Sequence, residues 1–156
     1  MAAVCVLPTQ SVDLNAVKLI RAKTLLAIYL RQVGQLEQMA MGQRKYQLAL
    51  DYLAELDKHG FSSQRANLNT HVCHLHLGDK PAMEASALNI LALHSAGLNE
   101  KECLELHQHA TRTKQGLLAA LWSAEARYRK PVVAAPNNKR PTSPVAKTKG
   151  TDSSEK

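Results

Sequence analysis

Between residues 14 and 40 the chain reads LNAVKLIRAKTLLAIYLRQVGQLEQMA, and its apolar positions recur with a helical period. Leu19, Leu26, Val33 and Ala40 fall seven apart, and Ala22, Tyr29 and Leu36 take the positions three further on. This a/d pattern over about three heptads predicts a long helix with one continuous apolar seam. Such a seam faces either the core of a helical bundle or a second copy of the helix. Leu19, Leu26, Tyr29, Val33 and Leu36 are the candidate oligomer or partner interface. The phase then changes at MGQRK, and a new stripe starts at Tyr46, Leu50 and Leu53. One unbroken helix from 14 to 58 would be about 68 Å long, too long for a small domain. A break is therefore expected near Gly42, with Gly34 as the second candidate. KHG at 58–60 puts cations in a last turn and glycine just beyond it, which suits a helix end.

The next stripe is Leu68, Val72 and Leu75, spaced i, i+4, i+7, with Ser62 or Ser63 as its N-cap and Gly78 as its stop. Asp79 caps a fourth helix, Pro81 sits in its first turn, and Met83, Ala87, Leu88, Ile90 and Leu91 are its apolar residues up to Gly97. AGLNEKE is the strongest local signal. Gly97 closes one helix, Leu98 packs back on it, and Asn99 with Glu102 forms a capping box for the next. The fifth helix is expected to run from about 100 to 128, with Leu106, Ala110, Leu117 and Leu121 on one face and Gly116 as a weak point. No convincing self-similarity at a 34-residue period is found. The expected fold is an all-α bundle of about five helices: an N-terminal arm over 1–12, a helical domain over 13–128 and a disordered basic tail over 129–156.

Composition agrees with helix, since the apolar share comes from Leu and Ala, with one Phe, one Trp and four Tyr. The net charge of +7 is unevenly placed. From Arg127 to Lys156 eight basic residues face two acidic ones, whereas residues 1–126 carry twelve and eleven. The basic character therefore belongs to an appendage. Its alternation of Lys/Arg with proline, in NKRPTSPVAKTK, suits salt-sensitive phosphate contact with little sequence preference. Lys139, Arg140, Lys147 and Lys149 are the candidate nucleic-acid contacts there. Arg112, Lys114, Arg127, Arg129 and Lys130 would add backbone contacts from the last helix. AGLN with the residues after it resembles the turn of a helix-turn-helix over about thirty residues. The long helix that follows departs from the short recognition helix of that motif, and no family is assigned.

Eight of the ten Cys and His residues lie between 71 and 109. Cys103 with His107 and His71 with His74 have helical spacings that could place four ligands on one zinc ion. No C-x-x-C or H-E-x-x-H motif accompanies them, so the expectation is no metal and no cofactor, with helix-surface and core-edge histidines instead. No phosphate-binding glycine loop or nucleophile elbow is present. Cys5, Cys73 and Cys103 give no disulfide framework. The start lacks the charged leader of a secretory signal, and no stretch suits a membrane span. The sequence therefore predicts a non-enzymatic accessory or regulatory protein of the cytoplasm. It would be dimeric through its first helix and would touch nucleic acid through its basic C-terminal region. The alternative is a helical adaptor or chaperone that holds another protein in an apolar groove.

Overall fold

The computed structural model describes residues 13–131, and the arm and most of the tail lie outside them. Six helices follow one another: α1 (Leu14–Gly42), α2 (Tyr46–Lys58), α3 (Gln64–Leu77), α4 (Lys80–His94), α5 (Glu100–Arg112) and α6 (Gly116–Tyr128). No strand occurs among the described residues.

Local chemistry sets most of the helix ends. Asp13 caps α1 through Asn15 N–H, Ser63 caps α3 through Ala66 N–H, and Asp79 caps α4 through Ala82 N–H. Asn99 and Glu102 form a complete capping box on α5. The break near Gly42 is present, and Gly34 stays inside α1.

The fifth element differs from expectation, because residues 100–128 form two antiparallel helices, not one. The chain reverses at Thr113–Gln115, where Lys114 adopts φ +60°. A non-glycine residue in this region costs about 1–2 kcal/mol, and no local signal forces it. Packing compensates, because the reversal folds Leu118, Trp122 and Ala126 into one core with Leu106 and Ala110. The reversal also resets the helical phase. Leu117, expected on the buried face, is 81% exposed, and its neighbour Leu118 is buried instead. Leu88 of α4 is likewise exposed, while Met83, Ala87 and Ile90 are buried.

The α1–α2 turn repeats this device. Arg44 has φ +58°, and the three amides of each turn bond backward in the same pattern. Gln43 reaches Met39 O, Arg44 reaches Met41 O and Lys45 reaches Ala40 O; Thr113, Lys114 and Gln115 reach His109, Thr111 and Ala110. The α3–α4 turn is one residue shorter and uses Gly78 at φ +74°. The C-caps Gln43, Gly78 and Thr113 fall at steps of thirty-five residues. The chain is thus three helical hairpins: α1–α2, α3–α4 and α5–α6.

Buried positions recur in step. Val33, Leu68 and Cys103 are equivalent, as are Ala40, Leu75 and Ala110. On the returning helices Ala49, Met83 and Leu118 correspond, and so do Leu53, Ala87 and Trp122. All twelve are buried, yet no position holds the same residue in all three hairpins. This is the organisation of a helical repeat, in which each unit buries its apolar face against its neighbour.

The first helices of the hairpins are tied in a row. Asn69 Nδ2 donates to Glu37 Oε1 at 2.8 Å, linking α3 to α1. Gln64 Nε2 donates to Glu102 Oε2 at 2.8 Å and to Gly97 O at 3.2 Å, linking α3 to α5 and its approach turn. Glu37 is buried, and desolvation holds its carboxyl above the usual range despite the Asn69 bond and the nearby Arg65.

Candidate functional site

Three features carry the chemistry of the described residues: a buried polar chain, an open histidine cleft and an unpartnered length of α1.

His71 of α3 is fully buried, with the Trp122 ring edge-on to it at 5.4 Å between centroids. Trp122 Nε1 lies 3.0 Å from His71 Nε2, and His71 Nδ1 lies 2.7 Å from Ser86 Oγ. An indole N–H only donates, so Nε2 is the acceptor and the proton sits on Nδ1. Nδ1–H then donates to Ser86 Oγ, and the Ser86 hydroxyl donates onward to Met83 O at 3.0 Å. This chain joins α6, α3 and α4 with every member satisfied. Desolvation, assisted by neighbouring His74 and His109, pushes the imidazole pKa down to about 4. His71 is neutral and structural. The sequence placed it beside an apolar stripe but gave no sign that Trp122, 51 residues away, would supply its partner.

The four possible zinc ligands separate. His71 is committed as above, and Cys103 packs in the apolar core with its thiol raised by burial. His107 Nδ1 donates to Ala119 O at 2.8 Å, and His74 lines a groove formed with α2 and α4. Among the described residues no group of three or more His, Cys, Asp or Glu side chains is placed to hold a metal ion. Cys73 is also a buried free thiol, pushed up to about 12 by burial and then by Glu37. Both cysteines are fully buried, and burial outweighs even the Arg129 charge that acts on Cys103, so neither has the exposed setting of a reactive thiolate.

A pair the spacing did not suggest does meet. His76 Nε2 and His109 Nδ1, from the last turns of α3 and α5, lie 2.9 Å apart. Tyr46, the first residue of α2, stacks on His76 at 4.2 Å between ring centroids and 6° between planes. With Arg44, Arg112 and Met41 they line a cleft of about 490 Å³. Burial lowers the pKa of both imidazoles. Arg112 and Arg44 lower His76 further, and His76 and Arg112 lower His109, opposed by Glu105.

The first sixteen residues of α1, Leu14 to Tyr29, are all exposed. They span about 24 Å at 1.5 Å per residue. Leu19, Leu26, Tyr29 and Leu36 of the expected seam lie open, at 42–56% exposure. Val33 does not belong with them. It is buried with Leu30, Glu37 and Ala40 in the half of α1 that packs on its own neighbours. Ile20, Leu25 and Ile28 are exposed on other faces of the same length. A helix apolar on so many sides is typically a covered one.

The basic residues do not form one patch. Arg112 and Lys114 sit at the α5–α6 turn, whereas Arg127, Arg129 and Lys130 sit at the far end of α6, about 20 Å away along a 13-residue helix. Arg129 pairs with Glu125 and donates to Ser95 O at 3.0 Å, which ties α6 to the end of α4. It is a structural cation rather than a free one. Lys139, Arg140, Lys147 and Lys149 lie outside the described residues. The helix after AGLN is short, yet its first turn carries Glu100 and Glu102, a poor face to present to phosphates.

No protein-family model, curated protein or solved structure matches the chain. No helix among the described residues is long and apolar enough to cross a membrane.

Proposed function

We propose that this protein is a non-enzymatic helical-repeat scaffold that works by binding, and that its first partner is a second copy of itself. The observation behind this is the exposed, apolar first half of α1, which extends beyond the 13-residue α2 that packs on its other half. A second α1 would cover Leu19, Leu26 and Tyr29 in a seam of heptad spacing. Helical-repeat arrays present extended surfaces to protein partners, which favours an adaptor role. Free thiols at Cys73 and Cys103 suit a reducing compartment such as the cytoplasm.

Sedimentation equilibrium of the full chain tests the proposal. The wild type should sediment as a dimer and the double variant Leu19→Glu, Leu26→Glu as a folded monomer. A wild type that is monomeric at high concentration would sink the reading.

The second reading is phosphate contact by the basic C-terminal region, whose residues 132–156 carry five basic and two acidic side chains, a net of +3. Truncation should fall after Pro131 rather than after Ala126, because Arg129 holds α6 to α4. Nucleic-acid affinity should drop steeply with salt and vanish on that truncation. Binding that survives the loss of residues 132–156 would rule the tail out as the handle.

A further inference from the structure

The cleft at the α1–α2 turn has chemistry unrelated to self-association. Its walls come from three hairpins: Arg44 and Tyr46 from the first, His76 from the second, His109 and Arg112 from the third. Neither guanidinium has a carboxylate or hydrogen-bond partner among the described residues, and both are exposed at the rim. Two other arginines near the same packed helices are committed to carboxylates, Arg65 to Glu105 at 3.3 Å and Arg129 to Glu125, whereas these two share one cleft and remain available to a ligand. The imidazoles behind the rim are half-buried. The amino-terminus of α2 opens here without a side-chain cap, since Lys45 makes no capping bond. Backbone N–H groups of its first turn add positive potential to that of the arginines.

We propose that this cleft binds a phosphate monoester dianion between Arg44 and Arg112, against the His76–His109 pair. Each guanidinium offers a planar fork of N–H donors suited to bridging two anionic oxygens. The imidazole pair adds to them. Whichever ring donates in the shared N···N bond, the other keeps an N–H on its remaining nitrogen, so a neutral pair presents one donor and a pair that gains a proton presents two. These donors exceed what the two oxygens of a carboxylate can use, and they match the three free oxygens of a phosphate ester. The stacked Tyr46 fixes the plane of His76, so that donor direction is set before the ligand arrives.

Protonation couples to binding. The groups facing the pair are Arg44 and Tyr46 of the first hairpin, Arg65 and His71 on α3, and Arg112 and Glu105 on α5. The cations oppose imidazole protonation in the empty cleft, and a bound dianion reverses that balance. Affinity should therefore rise as pH falls through the histidine range.

The test uses the full chain and inorganic sulfate, which stays doubly charged across the relevant pH range. Imidazole resonances of His76 and His109 are followed by NMR during sulfate titration, with sodium chloride at matched ionic strength as control. His76→Gln and His109→Gln assign the signals. Both should shift saturably with sulfate, with affinity at least about fivefold tighter near pH 5.5 than near pH 8. Loss of one charge-assisted fork in Arg44→Gln or Arg112→Gln should weaken binding about tenfold, with an unchanged melting temperature. Inorganic phosphate and phosphoserine, titrated in parallel, separate a free anion from an esterified one. Phosphoserine binding at least as tightly as phosphate supports the ester, and binding of free phosphate with rejection of phosphoserine overturns it. Sulfate that moves neither imidazole signal beyond the chloride control, or that binds the arginine variants as well as the wild type, overturns the site.

Discussion

The first half of α1 and the α5–α6 hairpin are built from the same stock of Leu, Ala and Ile or Trp, but they end differently. In the hairpin the chain reverses at Lys114, and Leu118, Trp122 and Ala126 disappear into the core. In α1 the first sixteen residues stay exposed, and among the described residues α2 reaches only their last turn, where Tyr29 donates to Glu55 at 3.3 Å and meets His59 edge-on. Apolar content makes burial favourable, but a second element within reach is what accomplishes it. One surface has become core, and the other stays open.

Removing the keystone of the hairpin should have the largest effect. Trp122→Ala deletes a fully buried ring and leaves His71 Nε2 without its donor, and should cost about 3–5 kcal/mol in urea unfolding. A loss below about 1 kcal/mol would mean that the hairpin does not depend on this contact. Acid probes the same polar chain. The pKa of His71 is about 4 folded against 6.5 as a free side chain, so the unfolded chain binds the proton first as pH falls. Stability contributed by neutral His71 is fully present above pH 6.5 and is lost progressively toward pH 4. From pH 7 to pH 4.5 the wild type should lose about 2–3 kcal/mol more than His71→Gln. Parallel acid profiles would show that His71 does not set this dependence.

Smaller effects sharpen the comparison. Lys114→Gly removes the steric cost of φ +60° and should stabilise the hairpin by up to about 1 kcal/mol, read as a raised urea midpoint. A lowered midpoint would point to a role for the lysine side chain itself. At the other end of the scale, Leu19→Glu and Leu26→Glu should change the folding stability of the monomer by less than about 0.5 kcal/mol, because exposed substitutions touch little. Their effect should be confined to self-association. A large loss of stability in dilute solution would show that these leucines are covered within the monomer.

Much of the architecture was legible. Ser63, Gly78, Asp79, Asn99 and Glu102 act within four residues of themselves, so their capping roles can be read without knowing the fold. The break after Gly42 was legible because the apolar phase changes there. The break at Lys114 was not, because the only nearby hint was Gly116, which lies inside α6. Missing that reversal put Leu117 on the wrong side. The repeat was hidden for a related reason. Leu53, Ala87 and Trp122 occupy one structural position with three different volumes, so the period survives in burial and not in identity.

The candidate sites divide along the same line. The apolar seam of α1 followed from heptad spacing, but not that Leu19, Leu26 and Leu36 stay open while Val33 is claimed by the protein's own packing. The meeting of His76 with His109, and of His71 with Trp122, followed from nothing local. The sequence by itself determined the capped helix starts, the break after Gly42 and the absence of competing strand patterns, because capping bonds and helical periodicity are satisfied within a turn or two. Tertiary structure alone decided which leucines are core, which tautomer His71 holds, and which cations share a cleft. Those outcomes depend on contacts between residues more than thirty apart, whose free energy exists only once the hairpins have packed.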